Sequence, residues 1–288
     1  MMMSLLNDTA WQTPASELFE FAPKRTRYCV CIPVINEGDR LRRQLDKMRQ
    51  VGIPALADVL ILDGGSTDAS TDPRYLESQG IRALLVKTGT GKLSAQLRMG
   101  YAYALRQGYE GIITVDGNGK DGIEAIPDFI RALDSGLDLV QGSRYVPGGE
   151  AINTPLMRVL AIKLIHSPLI SLAAGFRYTD TTNGFRAYSR CYLLDERVQP
   201  FRKVFSTYEL LAYLSVRGPR LGYRAQEIPV ARRYPEKGKT PTKISYVRGN
   251  LLVLSVLLKV ALGRFNPEVC PNQSDRPRDA RYGVDQTI

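Results

Sequence analysis

The sequence has few of the residues from which zinc sites and disulfide scaffolds are usually built. It contains one histidine, His166, and four cysteines, Cys29, Cys31, Cys191 and Cys270, with no Cys-x-x-Cys pair. A structural zinc site and a disulfide framework are therefore both disfavoured, and a reduced, cytoplasmic protein fits best. Residues 1–11 also lack the basic start, long apolar core and small-residue cleavage site of a signal peptide.

Two common phosphate-binding motifs are missing as well. Residues 89–92 (GTGK) suggest a P-loop, but Val86 stands where the first glycine of that motif belongs and Leu93 where its serine or threonine belongs. No Gly-x-Gly-x-x-Gly follows the first strand-like run, which disfavours a dinucleotide-binding fold. Lys92 is still a candidate phosphate contact at the start of a helix, with an ordinary glycine turn as the alternative.

The chain has no acidic excess. Its 39 Lys and Arg residues against 29 Asp and Glu leave a formal net charge of +10. This charge favours anionic partners such as nucleotides, nucleic acid or an anionic membrane surface. Apolar residues make up 44% and charged residues 24%, which is usual for a globular protein and disfavours disordered, collagen-like and polytopic membrane classes.

Apolar runs and amphipathic segments alternate in the first half of the chain. Strands are predicted over residues 28–34, 57–63, 82–87, 111–115 and 138–142, and helices over 36–50, 91–107 and 123–135. This alternation predicts an α/β fold with helices on both faces of a twisted, mostly parallel sheet. Polar clusters follow the strand ends, at 33–37, 63–68, 116–121 and 143–144. Because ligands bind at the carboxyl ends of such strands, the four clusters predict one crevice.

The second half is less regular. An apolar helix that contains His166 is predicted over residues 155–175, a second helix over 209–216, a strand over 223–230 and a basic loop over 232–243. Residues 244–262 approach the length of a membrane span, but Arg248, Asn250 and Lys259 interrupt them. An interfacial or core-packed amphipathic helix is therefore the better interpretation of that segment. His166 is interpreted as a packed side chain.

Six motifs occur in order along the chain: residues 32–37 (IPVINE), 62–68 (LDGGSTD), 115–121 (VDGNGKD), 141–145 (QGSRY), 148–149 (GG) and 182–190 (TNGFRAYSR). Together they resemble the inverting, GT-A-fold glycosyltransferases of family 2, and most of all the dolichyl- or polyprenyl-phosphate mannose or glucose synthases. The resemblance implies one Rossmann-like GT-A domain over 27–265, with a nucleotide-binding half to 117 and an acceptor half from 118. An N-terminal arm (1–26) and a flexible tail (266–288) are expected to flank it.

On the donor side, the resemblance implies that the nucleotide-sugar lies against the first two strand ends, a metal motif and a basic lid. The matching residues, with Lys92 added from its helix start, are Pro33, Val34, Glu37, Asp63, Lys92, Asp116, Gly117, Asn118 and Lys243. The family's Asp-x-Asp motif falls on Asp116 to Asn118, which implies Mg²⁺ or Mn²⁺ held by Asp116, Asn118 and Asp121. Lys120 stands where many relatives have glutamine. Either Asp121 substitutes as a ligand, or Lys120 neutralises part of the diphosphate.

On the acceptor side, the resemblance points to basic residues. Arg144, Arg158 and Arg186 are the candidates for binding an acceptor phosphate, because the planar guanidinium group binds phosphate through two hydrogen bonds. A solvated helix face is the alternative for Arg158. A structural role, or a pair with Asp180, is the alternative for Arg186.

The functional expectation is sugar transfer with inversion from a GDP- or UDP-sugar to a polyprenyl phosphate. The alternatives are transfer to a hydroxyl of a surface polysaccharide or lipid-linked glycan, and a regulatory subunit that keeps the fold without metal binding. Asp116 and Arg144 are the expected catalytic residues, with Glu209 as general base if the acceptor is a hydroxyl. No nucleic-acid partner is expected. The expected location is the cytoplasm, with peripheral contact to the cytoplasmic face of a membrane left open.

Overall fold

The computed structural model describes residues 11–236 and 248–268. Within these ranges the chain forms an eight-stranded sheet and a second sheet of two strands. The strands are β1 Ser16–Glu20, β2 Tyr28–Val34, β3 Asp58–Asp63, β4 Ala83–Lys87, β5 Gly111–Thr114, β6 Leu139–Ser143, β7 Glu150–Ile152, β8 Arg186–Ser189, β9 Ala225–Pro229 and β10 Ala231–Arg233. The helices are α1 Asp39–Gln50, α2 Ile53–Leu56, α3 Pro73–Ser78, α4 Leu93–Arg106, α5 Ile126–Asp134, α6 Leu156–Ala161, α7 Ser167–Ala174, α8 Arg190–Leu194, α9 Glu209–Arg220 and α10 Arg248–Ala261.

The large sheet has the strand order β1-β4-β3-β2-β5-β8-β6-β9. Strands β4, β3, β2 and β5 are parallel neighbours, β8 runs antiparallel between β5 and β6, and β9 is parallel to β6. This confirms the predicted α/β fold with a mostly parallel sheet. From β2 the chain builds outward through β3 and β4 and then returns to β5 on the other side. Such a reversal opens a crevice at the carboxyl ends of the strands, here β2 and β5.

Both faces of the sheet are covered, which explains why the central strands are apolar throughout. In β2, Cys29 and Cys31 belong to one buried cluster, with residues of α4, α9 and α10. Val30 and Ile32 belong to a second cluster, with residues of α1 and α5. Side chains that alternate between two packed faces give the continuous apolar run of a central parallel strand.

The two ends of the described chain add detail to the sequence interpretation. Strand β1 lies within the predicted arm and pairs antiparallel with β4 at the edge of the sheet. All five of its residues are exposed, so it has no apolar pattern from which a strand could be predicted. Helix α10 buries Val256, Leu257 and Val260, which favours the core-packed interpretation of that segment. Residues 269–288, most of the predicted tail, lie outside the described residues.

Helices α6 and α7, joined by a π-helical turn at Ile162–His166, form one apolar helix over Leu156–Ala174. In the described residues it is the single helix whose length and composition would allow it to cross a membrane. Only 22% of its most apolar stretch is buried. Its exposed apolar side chains, here called the leucine face, are Leu156, Met157, Leu160, Leu164, Ile165 and Leu172, which are between 40% and 79% exposed.

Candidate active site

The carboxyl ends of β2 and β3 are fastened together by a side chain of α4. The amide Nε2 of Gln96 donates to the carbonyl oxygens of Val34, at 2.9 Å, and Leu62, at 3.0 Å. A Cβ atom at Gly64 would lie 2.8 Å from that Nε2. Any side chain at position 64 would therefore displace this clamp, which gives a physical reason for the glycine.

Asp63 shapes the loop that follows β3. It is 2% exposed, and its Oδ1 accepts from the N–H of Gly65 (3.1 Å), the N–H of Ser66 (2.9 Å) and the Ser66 hydroxyl (2.7 Å). Its Oδ2 accepts from the hydroxyl of Thr71 at 3.1 Å. Glu37, on the neighbouring loop after β2, forms an ion pair with Arg40 at 2.9 Å. Asp63 thus determines the conformation of the loop after β3.

Asp116, just beyond β5, is joined to Asp121 by Arg232 of β10. Arg232 Nη2 lies 2.9 Å from Asp116 Oδ2, and Arg232 Nη1 lies 2.5 Å from Asp121 Oδ1 and 3.3 Å from Asn183 Oδ1. Arg232 is 5% exposed. A planar guanidinium group that spans two carboxylates in this way is a geometrically well-defined ion pair.

The segment between the two aspartates is occupied by its own hydrogen bonds. Asn118 Nδ2 donates to Asp116 Oδ2 at 3.3 Å, and Asn118 Oδ1 accepts from the Lys120 N–H at 3.2 Å. Lys120 is 7% exposed, and its Nζ lies 5.2 Å from the centre of the Tyr234 ring. Both polar ends of the Asn118 amide are therefore engaged within the chain.

Burial and the two cations determine the protonation of this cluster. Burial alone would raise the pKa of Asp116, but Arg232 and Lys120 outweigh it and hold that pKa below its ordinary value. At Asp121 burial outweighs Arg232 and raises the pKa of the carboxyl. Burial, with Arg232 close by, lowers the pKa of Lys120. Asp116 is thus the carboxylate that stays ionised most readily.

Close backbone packing brings Asp116 to the crevice. A Cβ atom at Gly117 would lie 2.4 Å from Val34 Cγ1, and one at Gly184 would lie 2.6 Å from Asp116 Oδ1. A side chain at Gly117 would push the chain after β5 away from β2, and one at Gly184 would collide with the carboxylate of Asp116. The two glycines therefore allow Asp116 to lie directly beside the first strand.

Arg144 follows β6 and is held by Asp180. Its Nε lies 2.6 Å from Asp180 Oδ2, and its Nη2 lies 2.9 Å from Asp180 Oδ1 and 2.8 Å from the Thr182 hydroxyl. Its buried Nη1 has no hydrogen-bond partner in the part of the chain that the structure describes. Nη1 is thus the guanidinium nitrogen of Arg144 that donates to no acceptor in the described residues, and the side chain as a whole is 1% exposed.

Two further basic residues point back from the apolar helix towards tyrosines. Arg158 Nη1 donates to the Tyr234 hydroxyl at 3.0 Å, and Lys163 Nζ lies 5.2 Å from the centre of the Tyr145 ring. Burial would raise the pKa of Tyr234, but Arg232, Arg158 and Arg144 together outweigh it and lower that pKa. Three arginines from separate segments therefore act on one buried hydroxyl, and they form a basic centre beside the carboxylates.

The other predicted residues lie elsewhere. Arg186 donates to four acceptors within the chain, which are the carbonyl oxygens of Asn183, Thr181 and Leu211 and the hydroxyl of Ser215. Its phosphate-binding role stays a prediction. Glu209 is buried, and both its carboxylate oxygens accept from Thr207, from the N–H at 2.7 Å and from the hydroxyl at 2.5 Å. The exposed Lys92 donates its N–H to the Ser206 carbonyl at 2.7 Å. Lys243 lies outside the described residues.

The sequence predicts no site role for two residues of this centre, Arg232 and Tyr234, or for the neighbouring Lys163. Arg232 and Tyr234 lie at the start of the basic loop, for which the sequence predicts only a lid over the donor. Their partners, Asp116 and Arg158, are 116 and 76 residues away in the chain. The dipeptide Arg232-Arg233 at a strand end was the one local signal.

The sheet order, the carboxylate cluster after β5 and the basic centre define a glycosyltransferase of the GT-A type. The model of the Glycosyl transferase family 2 domain matches residues 29–195, so the chain belongs to this family. It is 30% identical over 207 residues to an undecaprenyl-phosphate mannosyltransferase of Micrococcus luteus, covering 71% of this chain and 82% of the relative. It is 28% identical over 225 residues to a polyprenol monophosphomannose synthase of Mycolicibacterium smegmatis, covering 77% and 83%.

A solved structure shows the same fold. Glucosyl-3-phosphoglycerate synthase from Mycobacterium tuberculosis, in complex with Mn²⁺, uridine diphosphate and phosphoglyceric acid, matches with a TM-score of 0.56 at 19% identity. The match covers 84% of this chain and 79% of that protein. The predicted family and the GT-A fold are therefore confirmed.

Proposed function

We propose that this protein transfers a sugar, with inversion, from a GDP- or UDP-sugar to the phosphate of a polyprenyl phosphate. The observation that carries the proposal is that one helix contains both the leucine face and Arg158, which reaches the basic centre through Tyr234. An acceptor with an apolar tail and an anionic head requires these two features side by side. The names of the Micrococcus and Mycolicibacterium relatives support the same acceptor class.

The leucine face suits contact with a lipid surface. A fully buried leucine side chain contributes about 1.5–3 kcal/mol, so several leucines inserted partly into the acyl boundary hold a helix on a membrane. The basic excess of the chain adds attraction to anionic lipid. We therefore place the enzyme peripherally on the cytoplasmic face of a membrane, with the helix Leu156–Ala174 lying in the interface.

The acceptor phosphate is bound by Arg144 and Arg158 in this proposal. Arg158 is exposed on the apolar helix and would meet the phosphate first, and the unpartnered Nη1 of the buried Arg144 would be a second donor once the phosphate enters the site. A phosphate monoester has a second pKa of about 6, so it is largely a dianion at neutral pH and needs no general base. A buried Glu209 that already accepts two hydrogen bonds from Thr207 agrees with a reaction that does not use it as a base.

The transfer itself is a single displacement. An acceptor phosphate oxygen attacks the anomeric carbon from the side opposite the nucleoside diphosphate and forms the new carbon–oxygen bond. The bond from that carbon to the diphosphate oxygen breaks, and its electron pair leaves with the diphosphate. Positive groups fixed beside the leaving diphosphate stabilise the charge that develops there.

On the donor side, the loops after β2 and β3 bind the nucleoside. Pro33 and Val34 are buried at the carboxyl end of β2, and Asp63 holds the adjacent loop in place by its four accepted hydrogen bonds. The uridine diphosphate in the Mycobacterium tuberculosis structure supports a nucleotide-sugar as the donor class. Glu37 and Lys92 remain candidate contacts to the ribose and the phosphates.

The resemblance also implies Mg²⁺ or Mn²⁺, which would neutralise the diphosphate when bound. The residues present offer such an ion few oxygens, because Asp116 Oδ2 accepts from Arg232 and Asn118, and the Asn118 oxygen accepts from Lys120. This leaves Asp116 Oδ1, which lies against Gly184. Asp121 Oδ2 lacks a partner in the described residues, but its side chain is fully buried and closed to the crevice. No group of three or more His, Cys, Asp or Glu suited to a metal occurs there either.

The proposal is tested by transfer into a lipid product. Purified full-length protein is incubated with radiolabelled GDP-mannose, UDP-glucose or other nucleotide-sugars and with vesicles containing undecaprenyl phosphate. Label should enter the organic phase and be released by mild acid as a free sugar, because a glycosyl phosphodiester is acid-labile. Undecaprenol, which lacks the phosphate, should accept no label. Label in a polysaccharide, or equal transfer to undecaprenol, would contradict the proposal.

A further inference from the structure

The carboxylates of the candidate active site are compensated by cations of the chain. Arg232 binds Asp116 and Asp121 at the same time. Lys120 lies between these two aspartates in the sequence, and its side chain is buried. Residue 118, between them, is a neutral asparagine. The two cations thus bring the same formal charge to the two carboxylates as one divalent metal ion would.

Arg232 is fixed in this position by the backbone around it. The Gly122 N–H donates to the Ala231 carbonyl at 2.8 Å, and the Arg233 N–H donates to the Lys120 carbonyl at 2.8 Å. Both neighbours of Arg232 are thus hydrogen-bonded to the segment that contains the aspartates. The Arg232 side chain is 6% exposed, whereas that of Asp116 is 25% exposed. Asp116 is the member of the pair that opens to the crevice, and Arg232 lies directly behind it.

We infer that Arg232 and Lys120 supply the positive charge that compensates the donor diphosphate, so that this chain binds and cleaves its nucleotide-sugar without a divalent metal ion. A metal ion bound at Asp116 Oδ2 would compete with a guanidinium that is already bound there, and a metal ion at either oxygen would bring two positive charges next to two fixed cations. Cations that are fixed by the fold can stabilise the leaving diphosphate in place of a metal ion, because their charge is in position before the bond to the sugar breaks. The inference rests on the proposed function, since it concerns the diphosphate of that donor.

Nucleotide binding tests the inference separately from transfer. The full-length protein is titrated with UDP and with GDP by calorimetry, in excess EDTA and again with MnCl₂. The better of the two nucleotides should bind with dissociation constants that agree within about threefold in the two buffers. A dissociation constant that falls by about tenfold or more when Mn²⁺ is added would overturn the inference while leaving the proposed function intact. Binding of neither nucleotide in either buffer would contradict both.

Two variants distinguish compensation of the diphosphate from a structural ion pair. Lys120→Gln removes one cation and leaves the bonds of Arg232 to both aspartates, and Arg232→Lys keeps the charge but loses the fork that spans them. Each should weaken binding in EDTA by about tenfold or more, and Mn²⁺ should restore part of the affinity of Lys120→Gln. The control Lys47→Gln changes an exposed lysine paired with Glu124 and should bind as the unaltered protein does.

A structural role alone would lower the melting temperature of these variants and leave nucleotide binding in EDTA unchanged, which would overturn the inference. Transfer gives the second measurement. If the unaltered protein transfers sugar to undecaprenyl phosphate in EDTA at a rate within about threefold of that in Mn²⁺, the inference is supported. Transfer that requires Mn²⁺ would reject it and keep the proposed function.

Discussion

Arg158 and Tyr234 are joined by a hydrogen bond of 3.0 Å between the start of the apolar helix and the residue after β10. This bond connects the surface proposed to lie on lipid with the buried carboxylate cluster, because Lys120 lies 5.2 Å from the same tyrosine ring. A phosphate head group that approaches along the helix would meet Arg158 first. The hydrogen bond thus marks the route by which we expect a lipid acceptor to reach the donor sugar.

The first prediction concerns Asp116, the carboxylate that opens to the crevice. Asp116→Ala should lower transfer by about 100-fold or more, because Arg232 loses one of its two anchors and the charge at the diphosphate is misplaced. Transfer rates and melting temperatures should be measured together. Asp128→Ala, on the surface of α5, is the matched control and should stay within about twofold in rate. Near-normal turnover of Asp116→Ala would remove this cluster from the site.

The second prediction concerns donor binding. Asp63→Ala should release the loop after β3, since four hydrogen bonds to this carboxylate are lost. A hydrogen bond to a charged group contributes about 1.5–3 kcal/mol, so the KM for the donor should rise by about 10- to 150-fold. Turnover at saturating donor should fall much less, because uniform binding is what is lost. An unchanged KM would show that the loop has no part in donor binding.

The third prediction concerns the leucine face. The double variant Leu164→Gln and Leu172→Gln should reduce co-sedimentation with vesicles of phosphatidylcholine and phosphatidylglycerol by at least about tenfold. Both leucines are 70% or more exposed, so the fold should be unaffected. Leu56→Gln changes an exposed leucine on α2 and serves as control. Equal sedimentation of the double variant and the control would exclude this face as the membrane contact.

The fourth prediction concerns the buried pair of Arg144 and Asp180. Burial would raise the pKa of Asp180, but Arg144 outweighs it and holds that pKa below its ordinary value of about 3.9. The pair therefore stabilises the fold fully above about pH 4, and this contribution is lost as the pH falls through the lower pKa of the folded state.

Asp180→Asn should accordingly lower the free energy of unfolding at neutral pH by about 3–5 kcal/mol, because Arg144 is left as an unpaired buried charge. The difference from the unaltered protein should shrink as the medium is acidified below about pH 4. Urea unfolding at a series of pH values measures both effects. A constant difference at all pH values would show that ionisation of Asp180 is not what stabilises the pair.

The sequence was sufficient for the parts of the fold with strong local patterns. The central strands could be predicted because both sheet faces are covered and the runs are apolar throughout, and the polar clusters could be placed because strand ends meet at one edge. Strand β1 could not be predicted, because all its residues are exposed and its sequence does not alternate between apolar and polar residues. The core packing of α10 depends on contacts with distant helices, so residues 244–262 alone left two interpretations open.

The site followed the same division. Asp116 and Arg144 could be singled out from motifs at strand ends. Arg232 could not, because its two carboxylate partners lie 111 and 116 residues earlier and nothing local links them. The exposure of the leucine face could not be predicted either, because the sequence of an apolar helix does not show whether its surface is buried or exposed.

The most direct test of the account compares Arg158→Ala with Glu209→Gln in acceptor-dependent transfer, with donor hydrolysis and the exposed Arg131→Ala as controls. A phosphate acceptor depends on charge-assisted contacts worth about 1.5–3 kcal/mol each, so Arg158→Ala should lose about 10- to 150-fold. Glu209→Gln should be mild, because a phosphate dianion needs no deprotonation. The opposite result would be a loss of about 100- to 10,000-fold in the transfer rate of Glu209→Gln, as on removal of a general base, with Arg158→Ala transferring at the unaltered rate. That result would show that the acceptor is a hydroxyl and would contradict the lipid-phosphate account.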